Sequence, residues 1–255
     1  MDTNWPRKIW IVRHGQSAGN VARDQALAAK LKRIEVPLRD VDVALSALGQ
    51  RQADALGHWF ADHAPDDRPD VVLSSPYVRA VQTAQRVGNA GGVAPGFTKV
   101  IIDERLREKE LGILDGYTSA GVAEFLPEQA KFRQRLGKFY HRAPGGENWC
   151  DVILRLRSVV DMVCLHHSGR NVLIVAHQVV VSCFRYLLEN MTEEQILAID
   201  RHAEVANCSV TEYEYRLDAE GGQGGLVLGR YNFVPPMKAE GAVATSAPDA
   251  NVATR

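Results

Sequence analysis

Arg13 and His14 stand directly after residues 9–12, a run of β-branched and aromatic side chains, and Gly15 follows them. Such a run reads as a short strand buried on both faces of a sheet, and the glycine frees the backbone to turn. The pattern recurs at residues 171–176, the clearest apolar strand of the chain, which ends in His177 and Gln178. Residues 70–74 read as another buried strand. Ser75 and Pro76 follow as a helix cap and a first-turn proline, with Arg79 in that first turn. Residues 99–103 read as a further strand that runs into a charged loop carrying Arg107, Glu108 and Glu110.

Open α/β sheets bind ligands at the carboxyl ends of their strands, so Arg13, His14, Arg79, Glu108 and His177 are expected to converge in one crevice. Two histidines, two arginines and a carboxylate suit phosphoryl transfer without a metal. The arginines neutralise the phosphate and stabilise charge on its equatorial oxygens. Neutral His14 attacks phosphorus, and Glu108 protonates the leaving alkoxide and later takes a proton from water. His177 serves as a second cation or hydrogen-bond donor. Gly15, Gln16, Ser17, Asn20 and Gln178, which flank or follow the two histidines, are the expected lining of the substrate pocket.

Each piece also has a plainer reading. An Arg-His-Gly tripeptide is common, His177 reads alone as a core-edge histidine, and Glu108 alone as a solvated carboxylate. Arg79 alone reads as half of a surface ion pair. Joint placement at one sheet edge carries the argument.

The elements that must position these groups follow from periodicity. Residues 21–40, with Lys30, Lys32, Arg33 and Arg39, read as a short helix and a loop over the edge of the first strand, either a solvated basic face or a cationic lid. Ser46 is expected to cap a helix carrying Leu48, Ala55, Leu56 and Trp59 on one face. Residues 88–97 form a turn, 119–125 a short helix, and 128–140 a basic helix. Pro144, Gly145 and Gly146 precede a strong helix with Val152, Leu156, Val159, Val160 and Val163 on one face. A further helix follows His177, with Val180, Phe184, Leu187, Leu188 and Met191 on one side.

Residues 205–216 and 226–233, separated by Gly221, Gly222, Gly224 and Gly225, read as an antiparallel hairpin. Strands alternating with helices imply an α/β fold in three layers, a mostly parallel sheet flanked by helices with this C-terminal hairpin. One domain over residues 1–234 is expected, with residues 235–255 a flexible tail.

Composition limits the alternatives. The chain has 255 residues, 45% hydrophobic and 24% charged, and a formal charge of −1. That balance argues for a soluble protein and gives no bulk attraction for nucleic acid or a membrane. Its 4 cysteines lack metal-site or redox spacing and read as reduced, which points to the cytosol. A homodimer through an edge strand or the hairpin is compatible with the sequence, although no residue argues for it.

At these residues the chain resembles the histidine phosphatase superfamily, the phosphoglycerate mutase-like family, from Ile9 to about Val210. The matching pieces are Arg13-His14-Gly15 with Asn20, Leu45-Ser46-Ala47-Leu48-Gly49 with Gln52-Ala53, Ser74-Ser75-Pro76 with Arg79 and Gln82-Thr83-Ala84, Leu106-Arg107-Glu108, Gly146-Glu147, and Val175-Ala176-His177. The resemblance implies a phosphohistidine at His14, a phosphate pocket of Arg13, Arg79 and His177, a phosphoryl contact from Asn20, and Glu108 as proton donor with Glu110 as the fallback. No metal or cofactor is implied.

Gln178 and Val179, where mutases carry glycine and asparagine, favour the phosphatase branch. The segment after His177, Lys138 and the Pro144–Glu147 turn look most like the fructose-2,6-bisphosphatase domain, in which Arg133 and Lys138 match sugar-phosphate ligands. Ser119, Ala143 and Ser182 depart from it, standing where that domain has tyrosine, tyrosine and arginine. The expected activity is metal-independent hydrolysis of a small phosphorylated metabolite. The alternatives are a cofactor-dependent phosphoglycerate mutase and a catalytically inactive binding module.

Overall fold

Alternate side chains of the first strand, β1 (Lys8–Arg13), enter two different cores. Ile9 and Ile11 pack on one side of the sheet, Trp10 and Val12 on the other, and all four are buried. The period of two along a strand puts neighbours on opposite faces, so an unbroken apolar run requires helices on both. The sequence predicts this layering, and the computed structural model has it, describing residues 4–202, 204–217, 224–235, 237 and 240–246.

Five more strands complete the sheet: β2 (Val71–Ser74), β3 (Ile101–Ile102), β4 (Asn171–Ala176), β5 (Val210–Arg216) and β6 (Gly225–Phe233). Their spatial order is β3-β2-β4-β1-β5-β6. The first four strands in that order run parallel, whereas β5 is antiparallel to β1 and to β6. This is the expected mostly parallel sheet with a C-terminal antiparallel hairpin. The helices are α1 (Ala18–Ala28), α2 (Ala47–Ala61), α3 (Val78–Asn89), α4 (Ser119–Phe125), α5 (Pro127–Tyr140), α6 (Trp149–His166), α7 (Gln178–Leu188) and α8 (Glu193–His202).

Helices α6 and α7 cover one face through Val152, Leu156, Val180 and Phe184, and α2 and α3 cover the other through Leu56, Phe60, Ala80 and Ala84. Phe60 meets Trp10 edge to face at 5.3 Å. Emptying so large and buried a site, as in Trp10→Ala, would cost about 3–5 kcal/mol. No helix among the described residues is long and apolar enough to cross a membrane.

Register aligns the strand ends. Arg13 pairs with Ala176 and Ser74 with Val175, so the His14 amide donates to Ala176 and the Ser75 amide to Val175, both at 3.0 Å. Ser74 also pairs with Ile102 of β3, so four chain segments leave the sheet side by side.

The structure corrects several details. Helix α3 begins at Val78 behind Tyr77, not at Ser75–Pro76, because the Ser75 amide is still bonded to β4 and its hydroxyl serves other groups. Only two residues of the expected 99–103 strand pair with β2, since this edge has a single neighbour. Residues 205–209 form a turn instead of the first part of β5, with Cys208 at φ 54°. The sequence reading lacked α8, whose single buried residue, Ile196, gives little periodic signal.

Helix α5 is broken at Gly137, where φ is 76°. The glycines at 221 and 222 of the expected hairpin loop lie outside the described residues, as do residues 247–255 of the expected tail. The described part of that tail is anchored: Met237 and Ala242 are buried in the core of Trp10 and Val12.

Candidate active site

His14 is fully buried at the end of β1, and its ring is polarised by two neighbours of fixed sense. Nδ1 lies 2.6 Å from the Gly15 carbonyl, which only accepts, so Nδ1 carries the proton. The Arg79 Nε–H, which only donates, lies 3.1 Å from Nε2. The imidazole is thus neutral, with its lone pair at Nε2, the form that attacks an electrophile.

Gly15 matters here for close approach, not for a left-handed turn. A Cβ on it would lie 2.5 Å from the Gly49 carbonyl oxygen, and a Cβ on Gly49 would lie 1.9 Å from that of Gln16. Only two glycines let the His14 loop rest on the start of α2. The Gly15 amide donates to Thr83 Oγ1 at 3.1 Å, tying the loop to α3 as well.

Arg13, Arg79 and His177 are buried around His14. Arg13 Nη1 donates to the Val205 carbonyl at 2.6 Å, and its own carbonyl accepts from the Cys208 amide at 2.9 Å. The turn at 205–209, read from sequence as strand, therefore cradles Arg13 and His14. His177 lies edge-on to His14, with ring centroids 5.1 Å apart, and its Nε2 is 2.8 Å from the Ser75 hydroxyl. That contact explains why Ser75 does not cap α3.

Tyr77 packs against the His177 ring at 4.9 Å and under the Arg79 guanidinium at 4.8 Å, and its hydroxyl donates to Glu110 at 3.0 Å. Burial, and next the charge of Glu110, push the Tyr77 hydroxyl well above its ordinary pKa, so it remains a donor. Glu110, the fallback acid, is occupied by this contact.

Glu108 is buried, and its carboxylate accepts from the Lys109 amide at 2.8 Å and from the Val179 amide, in the first turn of α7, at 3.4 Å. The residue that follows His177 and Gln178 in sequence thereby positions the candidate acid beside them. Gln178 is buried as the first residue of α7.

Ser17 and Asn20 form a reciprocal capping box on α1, with the Asn20 amide donating to Ser17 Oγ at 3.1 Å and the Ser17 amide to Asn20 Oδ1 at 2.9 Å. Both line a cavity of about 100 Å³ together with Arg23, Asp40, Arg79 and Asp115. Gln16 faces away from this cavity. Its amide donates to Gln52 Oε1 at 2.8 Å, and its side chain accepts from the Ser46 hydroxyl at 2.7 Å.

None of Lys30, Lys32, Arg33 and Arg39 lines this cavity. Lys32 pairs with Glu124, Arg33 bonds the Tyr117 hydroxyl and Arg39 pairs with Asp42. The stretch instead delivers an anion, Asp40, to the outer edge of Arg79, with contacts of 2.6–3.1 Å. Asp40, Asp115 and Arg23 were not singled out from the sequence. For Arg23 a signal existed: it lies three residues after Asn20, on the buried face of α1. Asp115 is raised from its ordinary pKa by burial and next by the charge of Asp40.

Residues 9–221 match the sequence profile of the histidine phosphatase superfamily (branch 1). The chain belongs to that superfamily. A probable phosphoglycerate mutase of Yersinia enterocolitica is 25% identical over 211 residues, covering 82% of this chain and 85% of the relative. The 6-phosphofructo-2-kinase/fructose-2,6-bisphosphatase of Caenorhabditis elegans is 31% identical over 227 residues, 86% of this chain. The match spans only 43% of that longer protein. Among solved structures, a mycobacterial glucosyl-3-phosphoglycerate phosphatase complexed with VO3 superposes with a TM-score of 0.66 at 26% identity, covering 89% of this chain and 99% of that one.

Within this member of the superfamily the two expected sugar-phosphate ligands lie on α5, outside the cavity lined by Arg79. Lys138 forms an ion pair with Asp200 of α8 and lies 5.6 Å from the Trp149 ring centroid. Arg133 is half-buried, and burial lowers its pKa against the opposing charge of Asp200. Burial also lowers Lys109, to about 8, and lowers His141, which is disfavoured further by Arg133 and Lys109. Arg107 does not line that cavity. Its guanidinium and that of Arg155 clamp Glu147 at 2.8 and 2.9 Å, while Glu147 also accepts from the Glu110 amide at 3.1 Å. That clamp fixes the loop bearing Glu108.

Proposed function

We propose that the chain is a metal-independent phosphomonoesterase acting on a small phosphorylated metabolite through a phosphohistidine at His14. The observation that carries this reading is the setting of the His14 ring, with Nδ1 against the Gly15 carbonyl and Nε2 against the Arg79 Nε–H. An incoming phosphoryl group takes the Arg79 donors from Nε2 and from Asp40. Nε2 attacks phosphorus, Arg13, Arg79 and His177 stabilise the equatorial oxygens, and Glu108 gives its proton to the leaving alkoxide. Glu108 then accepts a proton from water as it attacks phosphorus, releasing inorganic phosphate and restoring His14. The phosphatase named among the structural neighbours supports hydrolysis. The four cysteines are free thiols, in keeping with a reducing cytosol.

The test is phosphate release from phosphorylated sugars, phosphoglycerates and p-nitrophenyl phosphate, with EDTA, for wild type and His14→Ala. Release that survives EDTA and is lost in the variant sustains the proposal. The phosphoglycerate mutase relative gives the second reading its place. Isomerised phosphoglycerate with little free phosphate would move the chain to that reading. Silence in both assays would leave a binding module.

A further inference from the structure

Two buried amide side chains grip the backbone on either side of Gly15. Asn207 Nδ2 donates to the His14 carbonyl at 2.9 Å, and Gln52 Oε1 accepts from the Gln16 amide at 2.8 Å. Both residues are fully buried. Their far ends meet on a single hydroxyl: Thr245 Oγ1 donates to Asn207 Oδ1 at 2.9 Å and accepts from Gln52 Nε2 at 2.9 Å.

The sense of this bridge is set by the backbone. The His14 carbonyl only accepts, so Asn207 must turn Nδ2 toward it and leave Oδ1 for Thr245. The Gln16 amide only donates, so Gln52 must turn Oε1 toward it and leave Nε2 for Thr245 and for the Val243 carbonyl, at 2.7 Å. The joining group must then donate one proton and accept another at one atom, which a hydroxyl does and a methyl does not. The Asn207 amide also donates to the Thr245 carbonyl at 2.7 Å. Ala242, buried three residues earlier, anchors the segment.

We propose that Thr245, in the C-terminal segment, is a positioning residue for His14, its hydroxyl joining Asn207 and Gln52 across the His14–Gly15–Gln16 loop. The proposal rests on the reading of His14 as nucleophile. Thr245 touches no reacting atom and acts by holding the loop from behind, so its loss shifts the imidazole relative to the phosphoryl group.

The test compares full-length wild type, Thr245→Val and Thr245→Ser in p-nitrophenyl phosphate turnover, thermal unfolding and amide hydrogen exchange by NMR. Thr245→Val removes the hydroxyl at nearly constant shape. It is expected to lower kcat about tenfold with KM changed less than about twofold, the mark of a misplaced reacting group. Exchange of the Gln16 and Asn207 amides is expected to quicken about tenfold, and Thr245→Ser is expected to restore both readouts.

Wild-type kcat and exchange in Thr245→Val would overturn the proposal, as would equal losses in Thr245→Ser. A lowered unfolding temperature with unchanged kcat would also overturn it, reducing Thr245 to a structural role. If Thr245→Val does not fold, Thr245→Cys, a weaker donor and acceptor of similar shape, is expected to lower kcat and quicken Gln16 exchange a few-fold, and wild-type values for both would overturn the proposal. A wild type without turnover would refute the phosphatase reading by itself, and exchange at Gln16 would then still decide whether Thr245 holds the loop.

Discussion

Asp40 occupies the outer edge of the Arg79 guanidinium, with its two carboxylate oxygens 3.0 and 3.1 Å from Nη1 and Nη2. A carboxylate and a phosphoryl group offer a guanidinium the same pair of acceptors, so Asp40 competes with any phosphate that Arg79 binds. Asp40→Asn is expected to tighten inhibition by inorganic phosphate or vanadate a few-fold. The side chain is 47% exposed, which keeps the competing pair on the order of 0.5–1 kcal/mol. An inhibition constant unchanged in the variant would show that Asp40 releases Arg79 at no cost.

Glu108→Gln separates general acid catalysis from binding. In the proposed mechanism this buried acid, beside the start of α7, protonates a poor leaving group, whereas p-nitrophenolate departs with little help. Turnover of an alkyl phosphate is expected to fall about 10²–10³-fold, and that of p-nitrophenyl phosphate about tenfold. Equal losses on both substrates would assign Glu108 to positioning.

Glu147→Gln tests the clamp on the Glu108 loop. Burial alone would raise the Glu147 pKa, but hydrogen bonds and charge from Arg155, with Arg107 behind them, hold it below the ordinary range. Loss of the charge strands two arginines and is expected to cost about 2–4 kcal/mol in urea unfolding at pH 7. A depressed acid pKa stabilises the fold above the unfolded value of about 4.3 and loses that contribution as pH falls through the folded value. The gap between wild type and variant is therefore expected to close on acidification below that range.

Lys109→Met reads the opposite sign. Burial lowers Lys109 from 10.5 to about 8, so the unfolded chain binds more protons between those values and stability rises with pH across them. The cost of the buried ammonium is fully present below pH 8, offset in part by its contact with the Glu147 carbonyl at 3.2 Å. The methionine variant is expected to be more stable by about 1 kcal/mol at pH 7, an advantage that fades from pH 8 to 10.5. Parallel curves for the two proteins would show that this lysine is solvated.

The apolar runs ending at Arg13 and Ala176, the cap at Ser46, and the alternation of strands with helices are local patterns, and they appear in the structure largely as the sequence alone implies. Parallel pairing of the runs then places Arg13, His14 and His177 side by side, because chain direction and a shared register leave little else for their ends to do.

What tertiary structure decided lies where residues distant in sequence compete for one polar group. Ser75 is a good cap by type, yet the His177 ring takes its hydroxyl. Residues 205–209 are strand-like by composition, yet Arg13 and His14 draw their backbone into a turn. The basic stretch at 30–39 reads as a solvated face or a lid; in the structure Lys32, Arg33 and Arg39 bond to neighbouring side chains, and Asp40 reaches Arg79. Thr245 lies in a segment without periodicity, so its meeting with Asn207 and Gln52 has no local signature. Propensity and periodicity act over a few neighbouring residues, whereas a buried hydrogen bond is settled by which donors the packed core brings within 3 Å.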